Sequence, residues 1–403
     1  MKPKSFSLIA VAALGYFVDI FDLALFGIVR VQSLRDIGVL ENQLLEVGVR
    51  LLNSQMIGLL MGGVFWGILG DKLGRIKVLF GSILLYSLAN LANAAVTTPD
   101  QYAILRWIAG VGLPGELGAA ITLVAETLPT EKRGYGTAIV AGVGLFGAVV
   151  AGLVAEIVSW RTTYIIGGAL GLCLLVLRFR VTESSLYSQM ASGKTAHQGN
   201  VFLLFYPMKR FLKYASCVLI AIPIWFCAGI LMTFAPEIGE VLQASAPLSA
   251  GKAILFSYIG VSIGDVLSGL LSQVLKSRKK VIAGALLLEG ILIAILLTRS
   301  GITPLIFYSI AFLIGLATGY WAVFVTVTSE QFGTNIRSTA TTSAPNVVRA
   351  SVVPMTLALT WIKPSLGLLT GITVIGFVVF SLAAISLFFL EETFSKSLAF
   401  LEE

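Results

Sequence analysis

Ionisable side chains interrupt long apolar stretches of this 403-residue sequence. Six of them are the main candidates for chemistry: Asp19, Asp22, Arg106, Glu116, Asp265 and Arg349. If those stretches cross a membrane, each charge costs about 2.5–3.5 kcal/mol on insertion scales, so each one predicts a functional site. Carboxyl groups can bind and release protons, and a guanidinium group can hold a carboxylate or phosphate through two parallel hydrogen bonds. The residue types therefore predict proton exchange and the binding of an anion.

The spacing of the acidic residues near the amino terminus places them on one helix face. Asp19 and Asp22 are three residues apart, and Tyr16 precedes Asp19 by three. Counted from the predicted helix ends at 1.5 Å per residue, Asp22 and Arg106 both lie about 9–12 Å below the outer surface. We therefore expect Asp22 and Arg106 to pair. The pair could be structural, or substrate and proton could compete for it.

A second set of polar residues lies in the other half of the chain. Asp265 is in the middle of one apolar stretch, and Arg349 is in another, three residues after Asn346. Arg349 is the best single candidate for a substrate anion, with a structural Asp265–Arg349 pair as the alternative. The only histidine, His197, lies in a polar stretch, so proton coupling within a membrane would use carboxyl groups. The candidate proton carriers are Asp19, Asp22, Glu116 and Asp265.

The composition supports membrane helices. Hydrophobic residues make up 57% of the chain and charged residues 12%, against about 25% charged residues in soluble domains. The apolar residues come in runs of about 20, the length of a helix that crosses a bilayer. An all-α integral membrane protein is therefore predicted. The net charge of +7 does not indicate nucleic-acid binding, because the basic residues lie at the ends of the apolar runs.

Twelve apolar segments in two groups of six make up the predicted topology. Their limits are 7–30, 47–70, 78–97, 101–124, 136–158, 162–180, 212–235, 250–274, 280–298, 302–328, 339–362 and 366–390. Two six-helix bundles, over 1–180 and 212–403, are predicted, joined by a cytoplasmic loop over 181–211. Lysine and arginine concentrate on one side of this topology, which predicts that both termini are cytoplasmic.

The two halves also repeat in sequence. GILGDKLGRIKV at 67–78 aligns with GLLSQVLKSRKKV at 269–281, and AETLPTEKRGYGTA at 125–138 aligns with SEQFGTNIRSTA at 329–340. Paired six-helix repeats are typical of transporters whose two halves move about a site at the membrane midplane.

These motifs resemble the major facilitator superfamily over nearly the whole chain. GDKLGRIK resembles the family's loop between helices 2 and 3, and its second-half counterpart has Gln273 in place of Asp71. SWRTTYIIGG, VTESSLYSQM and EETFSKSLAFLEE resemble motifs of the sugar-porter-like branch, which also holds organic-acid, phosphate and metabolite symporters. The resemblance implies that segments 1, 4, 7 and 10 line a cavity. The candidate substrate-binding residues are Tyr16, Arg106, Asn346, Arg349, Trp225, Tyr320 and Trp321.

A cytoplasmic gate is predicted at the loop between segments 2 and 3. Gly70 and Gly74 permit a tight turn, and Asp71 can pair with Arg75 or Arg133. The alternative is that these charges only set the membrane topology. With the repeated loops included, the predicted gate comprises Gly70, Asp71, Gly74, Arg75, Glu126, Arg133, Glu330 and Arg337.

The leading hypothesis is a secondary transporter, not an enzyme, that moves a small polar metabolite together with a proton by alternating access. A carboxylate-bearing substrate, an organic acid or an amino acid, is favoured. The alternatives are an uncoupled facilitator and a drug or siderophore exporter. The exporter is disfavoured because AGVGLFGAVVAGLV at 141–154 lacks the proline found in helix 5 of drug–proton antiporters.

No cofactor or metal site is predicted, because the three cysteines lie in apolar runs without metal-ligand spacing. The expected partners are the small-molecule substrate, protons and the lipid bilayer, with no nucleic acid. A monomer in a bacterial inner membrane is expected. Glu289 has no place in this scheme. The resemblance puts its segment at the periphery, where a glutamate would be protonated or would contact a partner chain.

Overall fold

The computed structural model describes residues 3–73, 75–114, 130–178, 204–333 and 336–394. Every regular element among these residues is a helix, as the sequence predicts. The chain forms two compact units, Met1–Gln198 and Gly199–Glu403. The amino-terminal unit contains α1 (Pro3–Asp36), α2 (Leu44–Leu73), α3 (Arg75–Asn93), α4 (Pro99–Gly112), α5 (Thr130–Ile157) and α6 (Trp160–Arg178).

The carboxyl-terminal unit has more helices because several predicted segments are interrupted. Its helices are α7 (Met208–Leu219), α8 (Ile222–Phe226), a π-helix (Cys227–Met232), α9 (Ala235–Val241), α10 (Ala250–Val274), α11 (Arg278–Thr298), α12 (Pro304–Thr318), α13 (Trp321–Gln331), α14 (Arg337–Ala350), α15 (Val352–Leu366) and α16 (Leu368–Phe389). Predicted segments 7, 10 and 11 are therefore each built from more than one helix.

Local sequence accounts for several helix ends. The Thr98 side chain accepts a hydrogen bond from the backbone N–H of Gln101, and Pro99 occupies the first helical position of α4. The same Thr-Pro pair begins α12, where Thr303 precedes Pro304. A proline costs little at this position, because its missing N–H would have no partner within the helix. Thus α4 and α12, which lie in the fourth segment of each half, begin in the same way.

The interruptions in segments 7 and 10 follow from prolines and glycine. Pro223 lies in the first turn of α8 and Pro236 in the first turn of α9, where a continuous helix would lose a backbone hydrogen bond. Between α12 and α13, Gly319 has φ −71° and ψ 58°, the geometry of an inverse γ-turn. The N–H of Tyr320 accordingly donates to the carbonyl of Thr318 at 2.8 Å. Hydropathy alone predicts one uninterrupted segment here.

Glycine permits very close helix contacts in both units. A Cβ at Gly147 of α5 would lie 2.1 Å from the carbonyl oxygen of Phe17 in α1. A Cβ at Gly264 of α10 would lie equally close to the carbonyl oxygen of Leu316 in α12. Small residues allow helix backbones in membranes to approach in this way.

The surface composition fits a lipid environment. Seven stretches of the described residues are long and apolar enough to cross a membrane. Large apolar side chains such as Trp361, Phe377 and Phe388 are at least 75% exposed. In water such a surface would be an aggregation hazard, but in a bilayer it faces lipid tails.

The substitution Gly264→Ala tests the close contact between α10 and α12. It places a methyl group against backbone that cannot rotate away, so we expect destabilisation of about 1–3 kcal/mol. Gly269→Ala in the same helix is the matched control, because a Cβ there meets nothing within 4 Å. The measurement is the thermal unfolding midpoint in detergent. Equal midpoints for the two variants would contradict the packing.

Candidate functional site

A buried charged cluster lies in the amino-terminal unit. Asp22 of α1 and Arg106 of α4 are at most 1% exposed, and the Arg106 charge acts on Asp22. Asn90 of α3 joins them, because its Oδ1 accepts a 2.6 Å hydrogen bond from Nη2 of Arg106. Both carboxyl oxygens of Asp22 are buried without a hydrogen-bond partner among the described residues. Three helices therefore bring one acid, one base and one amide together inside the unit.

Arg106 retains unused donors in this cluster. Its Nε and Nη1 are buried and donate to no acceptor among the described residues. A buried N–H without a partner costs about 1–3 kcal/mol, and more on a charged group. The guanidinium therefore has capacity for an anionic ligand, such as a carboxylate, that would accept two hydrogen bonds at once.

Tyrosines cover the cluster on one side. Cζ of Arg106 lies 5.0 Å from the centre of the Tyr164 ring, within the range of a cation–π interaction. The hydroxyls of Tyr164 and Tyr102 share a 2.7 Å hydrogen bond. Tyr102 in turn donates to Oγ of Ser33 at 3.2 Å. These contacts hold α4 and α6 against α1 and fix the position of the arginine.

Small residues make room for the cluster. A Cβ at Gly167 of α6 would lie 2.7 Å from Oδ1 of Asp22. A Cβ at Gly144 of α5 would overlap the ring of Tyr16, which is 2% exposed. Asp19 is fully buried one turn before Asp22 and also acts on it electrostatically.

The carboxyl group of Asp265 in the carboxyl-terminal unit lies at the start of a helix, and its predicted role as a proton carrier stays a prediction. Oδ1 of Asp265 in α10 accepts a 2.7 Å hydrogen bond from the backbone N–H of Ala322. This N–H lies in the first turn of α13, after the interruption at Gly319. A carboxylate at a helix amino terminus satisfies free N–H groups and complements the helix dipole. Asp265 thus stabilises the start of α13.

Arg349 lies next to the same interruption. Its side chain is 1% exposed, and its Cζ lies 5.9 Å from the centre of the Trp321 ring. Asn346 lies one turn earlier in α14 and is also buried. The structure therefore groups Arg349 with Trp321, the first residue of α13.

The predicted aromatic residues have different surroundings. Tyr320 is fully buried, and its hydroxyl donates to the carbonyl of Ile220 at 2.9 Å. Ile220 lies at the interruption between α7 and α8, so Tyr320 links the two broken segments. Trp225 of α8 and Trp321 are 7% and 8% exposed.

The predicted gate residue Glu330 belongs to a group of contacts that we call the tail clasp, formed by Arg278, Glu330, Glu392 and Thr393. Nη2 of Arg278 lies 3.3 Å from Oε1 of Glu330. Oγ1 of Thr393 donates to Oε2 of Glu330 at 2.6 Å. Arg337 lies outside the clasp, and its Nε donates to the carbonyls of Ser329 and Phe332 at the end of α13.

Glu392 ties the clasp to the amino terminus of α11. It accepts hydrogen bonds from the backbone N–H groups of Arg278 and Lys279 and from the hydroxyl of Ser277. Partial burial disfavours its ionisation, but these donors and the N–H of Phe394 outweigh that effect. Together they lower the pKa of Glu392 from its ordinary value near 4.5 to about 2.

Other predicted site residues lie outside what the structure describes. Glu116, Glu126 and Gly74 are outside the described residues. Of Gly70, Asp71, Arg75 and Arg133 only the helical backbone is described. Their roles in coupling and gating stay predictions.

Sequence reasoning missed some members of the site. Asn90 and Tyr164 were not among the candidates, although an amide in an apolar segment is itself an unusual signal. The capping role of Asp265 could not be inferred, because hydropathy does not show where segment 10 breaks.

The comparisons with known proteins assign this architecture to a class of membrane transporters. The chain belongs to the Major Facilitator Superfamily, whose family model matches residues 12–351. It is similar in fold to a crystal structure of a D-xylose–proton symporter, with a TM-score of 0.73 at 18% identity over 97% of this chain and 98% of that one. The predicted family and all-helical membrane fold are confirmed.

Two relatives indicate the kind of protein more closely. A putative niacin/nicotinamide transporter of Bacillus subtilis is 27% identical over 224 residues, which cover 55% of this chain and 54% of that protein. An inner membrane metabolite transport protein of Escherichia coli is 26% identical over 365 residues, 81% of this chain and 80% of that protein. The chain thus spans about half of the first relative. The family and these relatives are transporters and not enzymes.

The substitution Gly167→Ala tests the geometry around Asp22. The added methyl group displaces the carboxyl, so we expect transport to fall about tenfold, the factor that ~1.4 kcal/mol represents. Gly142→Ala is the control, because a Cβ there meets nothing within 4 Å. Initial uptake rates are compared at equal amounts of protein in the membrane. If Gly167→Ala takes up substrate at the wild-type rate, transport does not depend on the exact position of the Asp22 carboxyl group.

The substitution Glu392→Gln tests the tail clasp through pH. Because the folded-state pKa is lowered, the ionised group adds stability above pH 4.5 and loses that contribution as the pH falls towards about 2. We expect the variant to unfold at a lower temperature near neutral pH, and the gap to close as the pH falls. The exposed Glu240, changed to Gln, is the control. A gap that is independent of pH would show that ionisation of Glu392 does not matter.

Proposed function

We propose that the protein is a proton-coupled symporter of a small carboxylate-bearing metabolite, working by alternating access. The observation that carries the proposal is the buried cluster of Asp22, Asn90 and Arg106, in which Arg106 has two N–H donors without acceptors among the described residues. Such a guanidinium matches a carboxylate in charge and geometry.

The arrangement couples anion and proton binding directly. In the absence of substrate, burial opposes the ionisation of Asp22 and the Arg106 charge favours it. A substrate carboxylate that bonds Arg106 neutralises this charge, and Asp22 is then a buried acid beside Asp19 without a compensating cation. Asp22 therefore takes up a proton. Substrate and proton are bound together and released together, as symport requires.

The relatives support the substrate class. Niacin, which the name of the Bacillus subtilis relative includes, is an aromatic carboxylate. In the carboxyl-terminal unit, Arg349 beside Trp321 offers a second pairing of cation and aromatic surface that suits such a molecule. An amino acid remains within the proposal, since Asp19 or Asp22 could bind its amine.

The setting of the protein is part of the proposal. The Escherichia coli relative is named as an inner membrane protein, and the distribution of lysine and arginine favours cytoplasmic termini. We place the protein in a bacterial inner membrane as a monomer. Asp71, Glu126 and the other gate residues close its cytoplasmic side.

Uptake into proteoliposomes tests the coupling. A labelled panel of organic acids, amino acids, sugars and nucleosides is offered with and without an inward proton gradient. We expect the gradient to drive accumulation of one carboxylate class. Asp22→Asn should abolish accumulation driven by the proton gradient, but substrate should still move down its own concentration gradient. The reason is that asparagine cannot ionise, so the side chain at this position stays neutral.

The control is Asp100→Asn, which removes an exposed partner of Arg50 and should change nothing. Uptake that ignores the proton gradient in the wild type would indicate an uncoupled facilitator. Drug efflux without uptake of any panel member would indicate an exporter.

A further inference from the structure

Glu289 lies inside the carboxyl-terminal unit and not at its lipid-facing surface. It is on α11, the ninth predicted segment, and its side chain is fully buried. The resemblance puts this segment at the periphery, but the face of α11 that carries Glu289 packs inward, where Thr318 of α12 and Cys227 of the π-helix are in contact with it.

The carboxyl group touches both interrupted segments where they break. Its Oε1 lies 2.9 Å from Sγ of Cys227, the first residue of the π-helix. The same oxygen lies 3.2 Å from Oγ1 of Thr318, the last residue of α12 before the turn at Gly319. Oε2 is buried without a hydrogen-bond partner among the described residues. One acid thus bridges two helix interruptions, and such π-helical stretches are frequent at functional sites.

The hydroxyl of Thr318 can bond Glu289 in either direction. Its single hydrogen has two acceptors within range, the carbonyl of Ile314 at 2.7 Å and Oε1 of Glu289 at 3.2 Å. The hydroxyl donates to Glu289 when the carboxyl group is ionised. When the carboxyl group is protonated, the hydroxyl can donate to Ile314 and accept the hydrogen of Glu289.

No positive charge compensates Glu289 among the described residues. Cys227 and Tyr320 are the titratable groups that interact with it, and both are neutral or negative. The helix α16, which also packs on α11, carries no titratable residue. On the other packed helices, α10, α12 and α13, the titratable residues are Lys252, Tyr258, Asp265, Tyr308 and Glu330. Asp265 bonds Ala322, and Glu330 bonds Arg278. An ionised Glu289 would be a buried charge without a compensating cation among the described residues.

We propose that Glu289 is a proton-binding site of the carboxyl-terminal unit, and that release of its proton reverses the hydrogen bond with Thr318 at the interruption of segment 10, so that the hydroxyl becomes the donor. The released proton passes to water, and the carboxylate keeps the thiol of Cys227 as donor. The site is separate from Asp22, which lies in the other unit. Its use in transport rests on the proposed function, but proton binding itself does not.

Infrared difference spectroscopy of the purified protein tests the site directly. The carbonyl stretch of a protonated carboxylic acid is measured as the pH is changed. We expect the wild type to show a band that disappears at alkaline pH. Glu289→Gln should lack this band, and the control Glu240→Gln should show it with the same pH dependence as the wild type. Glutamine keeps the shape of the side chain and can donate to Thr318, so this variant should fold.

A second variant probes the environment of the carboxyl group. Cys227→Ala removes a hydrogen-bond donor to the ionised carboxyl group. The variant should therefore bind the proton about tenfold more tightly, and its band should disappear about one pH unit higher than in the wild type. A band that Glu289→Gln retains, or one that never titrates, would overturn the proposal. So would a band that sodium rather than pH removes. If the band titrates as expected while uptake ignores the proton gradient, the proposed function fails and the Glu289 site stands.

Discussion

The buried guanidinium of Arg106 is the constraint on which the amino-terminal unit depends. A permanent charge inside a membrane protein must be balanced nearby. Asp22 supplies the opposite charge, Asn90 accepts one hydrogen bond and Tyr164 presents its ring. These partners come from α1, α3 and α6, so one charge on α4 organises four helices. The balance is incomplete, because two donors of Arg106 have no acceptor among the described residues. That deficit is what a substrate anion would remove.

The carboxyl-terminal unit solves a different problem, which is how to hold interrupted helices together. Asp265 accepts a hydrogen bond from the N–H of Ala322 in the first turn of α13, and Tyr320 bonds the carbonyl of Ile220 at the corresponding break in segment 7. Interrupted helices expose backbone groups that would be costly in lipid, and transporters use such groups to line binding sites. Arg349 and Trp321 lie at this interruption. The polar residues that stabilise the fold are therefore also those that surround the candidate binding residues.

The sequence predicts the fold class and family well, because runs of apolar residues and loop motifs are local signals. Counting residues along two helices also placed Asp22 and Arg106 at equal depth, since the helical rise is constant. Asn90 was missed because an uncharged amide is a weaker signal in an apolar segment than a charge is. The capping role of Asp265 was missed because it depends on the break at Gly319, which hydropathy does not show. The inward position of Glu289 depends on which face of α11 packs against its neighbours, and the sequence of that helix is apolar on all sides.

The most direct test of the account is proton uptake by the purified protein when substrate binds. The change in pH is followed in weakly buffered detergent solution as a transported carboxylate is added to the wild type and to Asp22→Asn. The account predicts that the wild type takes up about one proton for each substrate bound, because Arg106 is drawn from Asp22 to the ligand. The variant should bind substrate without taking up a proton. Substrate binding without proton uptake in the wild type, or equal uptake in both proteins, would contradict it.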